Sequence, residues 1–173
     1  MCTTKLCTIF HRVTDELALD RQLCFALYAA SRATTAVYRP LLDELGLTYP
    51  QYLVMLVLWE RDGRGVREIG DELDLDTGTL SPLLKRMEGL GLLERRRQSD
   101  DERRVLIHLT DAGSDLHEPA LAVPRRLAGC SGLPTEELLA LRSTLKRLTL
   151  ELRSGATPTD DSTTSSTDTG RNP

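Results

Sequence analysis

Four cysteines, at positions 2, 7, 24 and 130, are the residues of this 173-residue chain best suited to covalent chemistry. No two of them form a Cys-x-x-Cys pair. His11, His108 and His117 are too scattered to hold a metal. Each of these cysteines is then either a small buried hydrophobe or a redox-active thiol, whose thiolate an oxidant converts to a sulfenic acid. Cys24 stands between Leu23 and Phe25 with Tyr28 one turn on. Its other reading is a small hydrophobe on an apolar helix face. An ordinary thiol is mostly protonated near pH 7, and phenol hydroxyls donating to sulfur favour its charged form. Cys130 falls beside Gly129, in a stretch from Gly129 to Pro134 that reads as a turn.

A second set of residues has the chemistry of a polyanion reader. The chain carries 22 Lys and Arg against 26 Asp and Glu, a net charge of −4, which by itself argues against a nucleic-acid partner. The charge is not evenly spread, and the local field depends on where it sits. Residues 85–104 hold Lys85, Arg86, Arg95, Arg96, Arg97, Arg103 and Arg104 against Glu88, Glu94, Asp100, Asp101 and Glu102, so an acidic chain contains a net basic segment. Thr77, Thr79 and Ser81 lie just ahead of it. The bland reading of the arginine run is a solvated face.

The elements that must position these groups are mostly helical. Leu19, Leu23, Leu27 and Ala30 recur at helical spacing and predict a first helix from Asp15 to Ala36. Pro40 should break or restart it, with a second piece over Leu41–Leu45 ending at Gly46. Thr48, Pro50 and Gln51 read as the start of a central helix from Pro50 to Glu60, apolar after Tyr52. After a turn at Asp62–Gly65 come a short helix at Val66–Leu73 and a second from Gly78 to Leu90, capped by Thr77 or Asp76. Its apolar stripe is Leu80, Leu83, Leu84, Met87 and Leu90. Two short helices joined by a tight turn make a helix-turn-helix. Leu92–Gln98 and Arg104–Leu109 around a polar tip at Ser99–Arg103 read as a β-hairpin directly behind it, a wing. Asp111–Ala128 is helical, bent or segmented by Pro119 and Pro124. In the last helix, Glu136–Arg153, leucines at 138, 141, 145, 148 and 152 form an a/d seam. We read that seam as a dimer interface, the alternative being packing on the chain's own first helix.

The fold class expected is therefore mainly α with a small β wing, a winged helix-turn-helix that dimerises. Residues 1–14 should be a weakly ordered extension and 15–153 the domain. Residues 154–173, with ten Ser or Thr and one plain apolar residue, should be a disordered tail. The longest apolar runs, such as Leu53–Leu58, fall far short of the roughly 18 residues a membrane-spanning helix needs. The first residues lack the apolar core of a secretory signal. The expected compartment is a reducing cytoplasm, without a structural disulfide framework.

This order of elements resembles the MarR family of winged-helix regulators, and the wing signature Asp101-Glu-Arg103, followed by Val105–Thr110, carries the likeness. Leu23–Ala29, Tyr38–Asp43, Thr48–Leu53, Leu58-Trp59-Glu60 and Asp76–Glu88 are similar to one branch, the organic hydroperoxide resistance regulators. The likeness spans about residues 15–153. It implies that Cys24 is the peroxide-sensing thiol, that Tyr38 and Tyr49 are the two tyrosines set beside it from the partner subunit, and that Cys130 is the resolving cysteine of a two-cysteine subgroup. Cys2 and Cys7 have no counterpart. An apolar pocket of Phe25, Leu27, Tyr28, Met55 and Trp59 would favour an alkyl hydroperoxide.

By mechanism, the second helix of the motif would enter a major groove about 12 Å wide. Thr77, Thr79 and Ser81 would then meet bases or phosphates, Lys85, Arg86 and Arg95–Arg97 the backbone, and Arg103, held by Asp101, a minor groove. The partners expected are an inverted-repeat DNA operator, a second copy of the chain and an organic hydroperoxide as signal; neither a cofactor nor a membrane is expected. Two other readings compete. One is a repressor of this type released by a phenolic or lipophilic ligand. The other is a thiol peroxidase using Cys24, which would leave an arginine-tipped wing without a purpose.

Overall fold

Leu42, Met55, Leu58, Ile69, Leu80, Leu84, Met87 and Ile107 are fully buried together, drawn from four helices and one strand, and this shared core sets the helix-turn-helix against the wing. The computed structural model describes residues 16–98 and 101–155. The expectations for residues 1–14 and for nearly all of the C-terminal tail lie outside the described residues. The fold divides after Ser131 into two units.

In the first unit a single 3-10 turn, Leu19–Arg21, precedes helix α1, Leu23–Asp43. The first helix thus begins later than its leucine spacing predicts. Gln22 is extended, and its side-chain amide donates to the carbonyls of Glu16 (2.8 Å) and Ala18 (3.3 Å), folding the preceding segment back instead of into the helix. Leu19 and Leu23 are exposed, so among the described residues their burial rewards no earlier start. Pro40, expected to break the helix, sits inside it. An interior proline costs about 3 kcal/mol. Leu41 and Leu42 directly after it are buried, each worth roughly 1.5–3 kcal/mol, which is enough to offset that cost.

Helix α2, Tyr49–Glu60, begins as predicted: the Thr48 N–H donates to Gln51 Oε1 at 2.7 Å, and the Thr48 hydroxyl donates to the same oxygen at 3.0 Å. That satisfies the side-chain oxygen of Gln51, a buried polar residue. The supposed turn at 62–65 contains a strand. β1, Arg64–Gly65, pairs antiparallel with the wing. Helix α3, Val66–Leu73, ends at Asp74, which takes a left-handed conformation (φ 58°). Helix α4, Thr77–Gly89, is capped by Asp76. Its stripe is buried at Leu80, Leu84 and Met87, whereas Leu90 caps the helix and is exposed.

The wing is β2, Leu93–Gln98, and β3, Asp101–Leu109, in the strand order β1-β3-β2. Leu93 faces Leu109, Arg95 faces Ile107 and Arg97 faces Val105, with an irregularity between Arg97 and Gln98. β3 starts earlier than the sequence suggests, so the backbone of Asp101 and Arg103 belongs to the strand and not to a loop tip. Helices α5 (Asp111–Asp115), α6 (His117–Ala120) and α7 (Ala122–Ser131) follow; the run is segmented, but the breaks fall at Leu116 and Leu121, and Pro119 and Pro124 lie within α6 and α7. α7 packs on α1, with Arg126 Nη1 donating to Glu44 at 2.9 Å.

The second unit is helix α8, Thr135–Gly155. None of its residues is buried. Within the seam Leu138, Leu145 and Leu148 are half-exposed, while Leu141 and Leu152 are exposed. Among the described residues no helix is long and apolar enough to cross a membrane.

Candidate DNA interface and thiol site

Asp76 opens α4 with one oxygen accepting the Thr79 N–H (2.9 Å) and the other accepting the Thr79 hydroxyl (2.7 Å). These bonds, the hydroxyl's first, hold the Asp76 carboxyl below its ordinary range. Thr77 and Thr79 are exposed on the first turn, Lys85 and Arg86 are exposed further along, and Ser81 is half-buried. Because Leu80, Leu84 and Met87 hold the opposite face in the core, the first-turn hydroxyls and the two cations are presented to solvent.

The arginine run on β2 is partly engaged. Arg95 Nε lies 3.2 Å from Glu88 of α4, and Arg96 is paired with Glu94. Arg97 is exposed. Both ion pairs are solvent-exposed and so worth only about 0–1 kcal/mol, little enough for a phosphate to displace them. The pairing of Asp101 with Arg103 involves side chains outside the described residues.

The base of the wing carries a brace that the sequence reading missed. Asp62 Oδ1 accepts the Leu109 N–H at 2.8 Å, and Oδ2 lies 2.8 Å from His108 Nδ1. An ionised carboxylate is acceptor-only, so the imidazole donates. Burial pushes the Asp62 carboxyl up, but the bonds from Leu109, His108 and Gly63 outweigh it and leave the group below its ordinary range. Gly63 (φ 72°) lies against the ring, where an added Cβ would come within 2.7 Å of His108 Cε1. Arg64 of β1 pairs with Glu72 of α3. The signal was a histidine in an apolar alternating strand, since a half-buried imidazole needs a partner.

Cys24 is exposed and is the second residue of α1, so it occupies the helix's first turn and not the interior of an apolar face. Phe25 and Tyr28 are exposed too, and the Tyr28 hydroxyl accepts from Arg32 Nη1 at 2.9 Å. Met55 is in the core. Trp59 donates to the Gly113 carbonyl at 3.0 Å and lines a different recess with Tyr52 and His117. The five-residue apolar pocket therefore does not assemble within one chain. Only a second subunit or a moved segment would bring its members together.

Tyr38 and Tyr49 do meet. Their ring centroids are 4.9 Å apart, with Tyr52 6.0 Å from Tyr38. They line an open cleft of about 500 Å³ with Thr35, Arg39, Leu42 and Thr48. Burial first, and then the neighbouring Tyr49 and Tyr52, push the Tyr38 phenol up to about 12, so it keeps its proton and can donate. Tyr38 and Cys24 share one continuous helix, and at about 1.5 Å per residue they stand roughly 21 Å apart along it. Cys130 is exposed in the last turn of α7, not in the turn beyond it; the left-handed turn begins at Gly132 (φ 67°).

Residues 36–119 match the family model described as transcriptional regulator SarA/Rot. Over 134 residues the chain is 50% identical to the organic hydroperoxide resistance transcriptional regulator of Bacillus subtilis (strain 168), covering 78% of this chain and 91% of that protein. The solved structure of reduced AbfR bound to DNA, a protein of Staphylococcus epidermidis, is similar with a TM-score of 0.66 and 37% identity, covering 82% of this chain and 99% of that one. The disulfide-formed structure of AbfR is similar at a TM-score of 0.56 and 38% identity, over 80% of this chain and 98% of that one. Together with a helix-turn-helix backed by a three-stranded wing, these likenesses show that the chain belongs to the MarR family of winged-helix transcriptional regulators, on the branch of the organic hydroperoxide regulators.

Proposed function

We propose that the protein is a homodimeric repressor that holds an inverted-repeat operator when reduced and leaves it when an organic hydroperoxide oxidises Cys24. One observation carries the reading. An exposed thiol in the first turn of α1 stands about 21 Å along that helix from Tyr38, which touches Tyr49 of α2, so that each is half of a sensor without the other. A second copy of the chain, turned so that its Tyr38 and Tyr49 meet Cys24, completes both sites at once. Leu17, Leu19 and Leu23, exposed around the start of α1, and the uncovered leucines of α8 supply the apolar surface for such a dimer. The protein then acts in the cytoplasm, where a thiol starts reduced.

The chemistry balances in two steps. The Cys24 thiolate attacks the outer peroxide oxygen, the O–O bond breaks, and the alkoxide leaves as the alcohol after taking a proton, so that sulfur is oxidised to sulfenic acid. The Cys130 thiolate then attacks that sulfur, hydroxide leaves as water, and a disulfide remains. The likeness to a protein solved in reduced, DNA-bound and disulfide forms supports this order. In the DNA complex α4 reads the major groove through Thr77, Thr79 and Ser81. Lys85, Arg86 and Arg95–Arg97 bind phosphates, and Arg103, steadied by Asp101, enters the minor groove.

Operator binding before and after stoichiometric cumene hydroperoxide, followed by mass spectrometry, tests the proposal. Cys24→Ser should bind DNA and ignore the oxidant. Cys130→Ser should still respond but accumulate over-oxidised sulfur in place of a reversible disulfide. Release of Cys24→Ser by the peroxide would defeat the redox reading. Release of that variant by a phenolic ligand would favour the alternative, for which the open cleft at Tyr38 and Tyr49 is the supporting observation.

A further inference from the structure

The bond between Asp76 and Thr79 decides what the start of the reading helix can say to DNA. The Asp76 carboxyl is ionised and exposed and has no proton to give. Across the 2.7 Å contact the proton therefore belongs to the Thr79 hydroxyl, which donates it to Asp76. A threonine hydroxyl has one proton and two lone pairs. With the proton committed, Thr79 faces outward as an acceptor, and the free lone pairs of Asp76 are acceptors beside it. A phosphate is also acceptor-only, so neither side chain can bond one directly, and the Asp76 charge repels it. The donors that DNA offers on the floor of the major groove are the exocyclic amino groups, N6 of adenine and N4 of cytosine.

We propose that Asp76 and Thr79 act together as an acceptor-only reader that selects adenine or cytosine over guanine or thymine at one position of each operator half-site. The inference rests on the DNA-binding reading above and sharpens it, because it takes Thr79 away from the phosphates and adds Asp76 as a specificity determinant. At a fixed place in the groove, adenine and cytosine present an amino group where thymine and guanine present a carbonyl oxygen, so the discrimination is amino against keto. The capping bond also fixes the Thr79 side chain, so the acceptor is in place before DNA arrives.

The test uses the reduced full-length protein. Operators are selected from a randomised duplex pool, and every single-base variant of the recovered half-site is titrated with the parent protein, Thr79→Val, Thr79→Ser and Asp76→Asn. One position should favour adenine or cytosine by about tenfold in the parent and in Thr79→Ser, in the range of one good base-edge contact. Thr79→Val should flatten that position alone. Asn caps a helix about as well as Asp. Its amide donates, which frees the Thr79 proton to point outward, so Asp76→Asn should lose the preference or turn it toward guanine or thymine. Losing a negative charge should also strengthen binding to all sequences alike, so overall affinity decides nothing; the base preference decides. A uniform loss across all sequences in Thr79→Val, or an unchanged preference in Asp76→Asn, overturns the inference while the DNA-binding reading stands. Recovery of no preferred DNA by the parent protein sinks both.

Discussion

Tyr38 illustrates how a single proton links burial to chemistry. Its phenol is pushed up to about 12, so it remains a donor at every pH at which the protein would work. Tyr38→Phe removes that donor and almost no volume. A hydrogen bond to a charged group is worth about 1.5–3 kcal/mol, so the second-order rate of Cys24 oxidation near neutral pH should fall by about tenfold or more. The deficit should shrink in alkaline solution, where thiols ionise unaided. Superimposable rate profiles for the variant and the parent would remove the phenol from the mechanism. Asp62 works on stability instead. Its carboxyl is held below the ordinary 3.8, so its contribution is present above that pH and is lost as pH falls through the folded-state value. Asp62→Asn should lower the urea midpoint at pH 7, and the gap from the parent should close on acidification below about pH 4. An equal gap at pH 7 and pH 3 would mean that the charge is not what braces the wing. Cys24 was legible in the sequence as a candidate reactive thiol, but its place in the first turn of α1 was not. That depends on Gln22 folding the preceding segment back, and leucine spacing does not encode it.

α4 and the wing are packed as one unit, because Arg95 of β2 pairs with Glu88 of α4 and Leu80, Leu84, Leu93 and Ile107 share one core. The helices of this unit were readable from apolar periodicity and capping residues: Asp76 caps α4, and Thr48 with Gln51 starts α2. β1 was not readable. Two residues carry no alternation, and Arg64–Gly65 becomes a strand only because β3 has an edge to pair with. At this scale Arg103→Ala should weaken operator binding by roughly 1–3 kcal/mol, while Lys85→Ala should weaken binding to all sequences alike and flatten the salt dependence. Titrations of both variants at several salt concentrations separate the two roles. Parent-like binding by Arg103→Ala would put the wing outside the interface.

For the molecule as a whole, the decisive quantity is the subunit number. Among the described residues Leu139, Leu141, Leu150 and Leu152 of α8 and Leu17, Leu19 and Leu23 near the start of α1 are exposed, and Cys24 and Tyr38 are far apart on α1. Sedimentation should therefore show a dimer at micromolar concentration, and a half-site spacing of about one helical turn should bind better than spacings half a turn longer or shorter. A monomer under those conditions would leave the sensor incomplete and the proposal without a site.

Class, element order and the candidate chemistry were set locally in the sequence: leucine periodicity, capping residues, a basic segment behind first-turn hydroxyls and a cysteine with a tyrosine one turn on. Each of these signals spans only a few residues. What the tertiary structure decided depends on groups distant in sequence. Pro40 stays inside α1 because burial of Leu41 and Leu42 offsets it. Asp62 finds a partner only once β3 carries His108 past it. Tyr38 meets Tyr49 because α1 and α2 pack together, and Cys24 stands apart from both because a continuous helix holds its residues at a fixed rise. Periodicity reports which face of an element is apolar. Which element covers that face is determined by the packing of the whole chain.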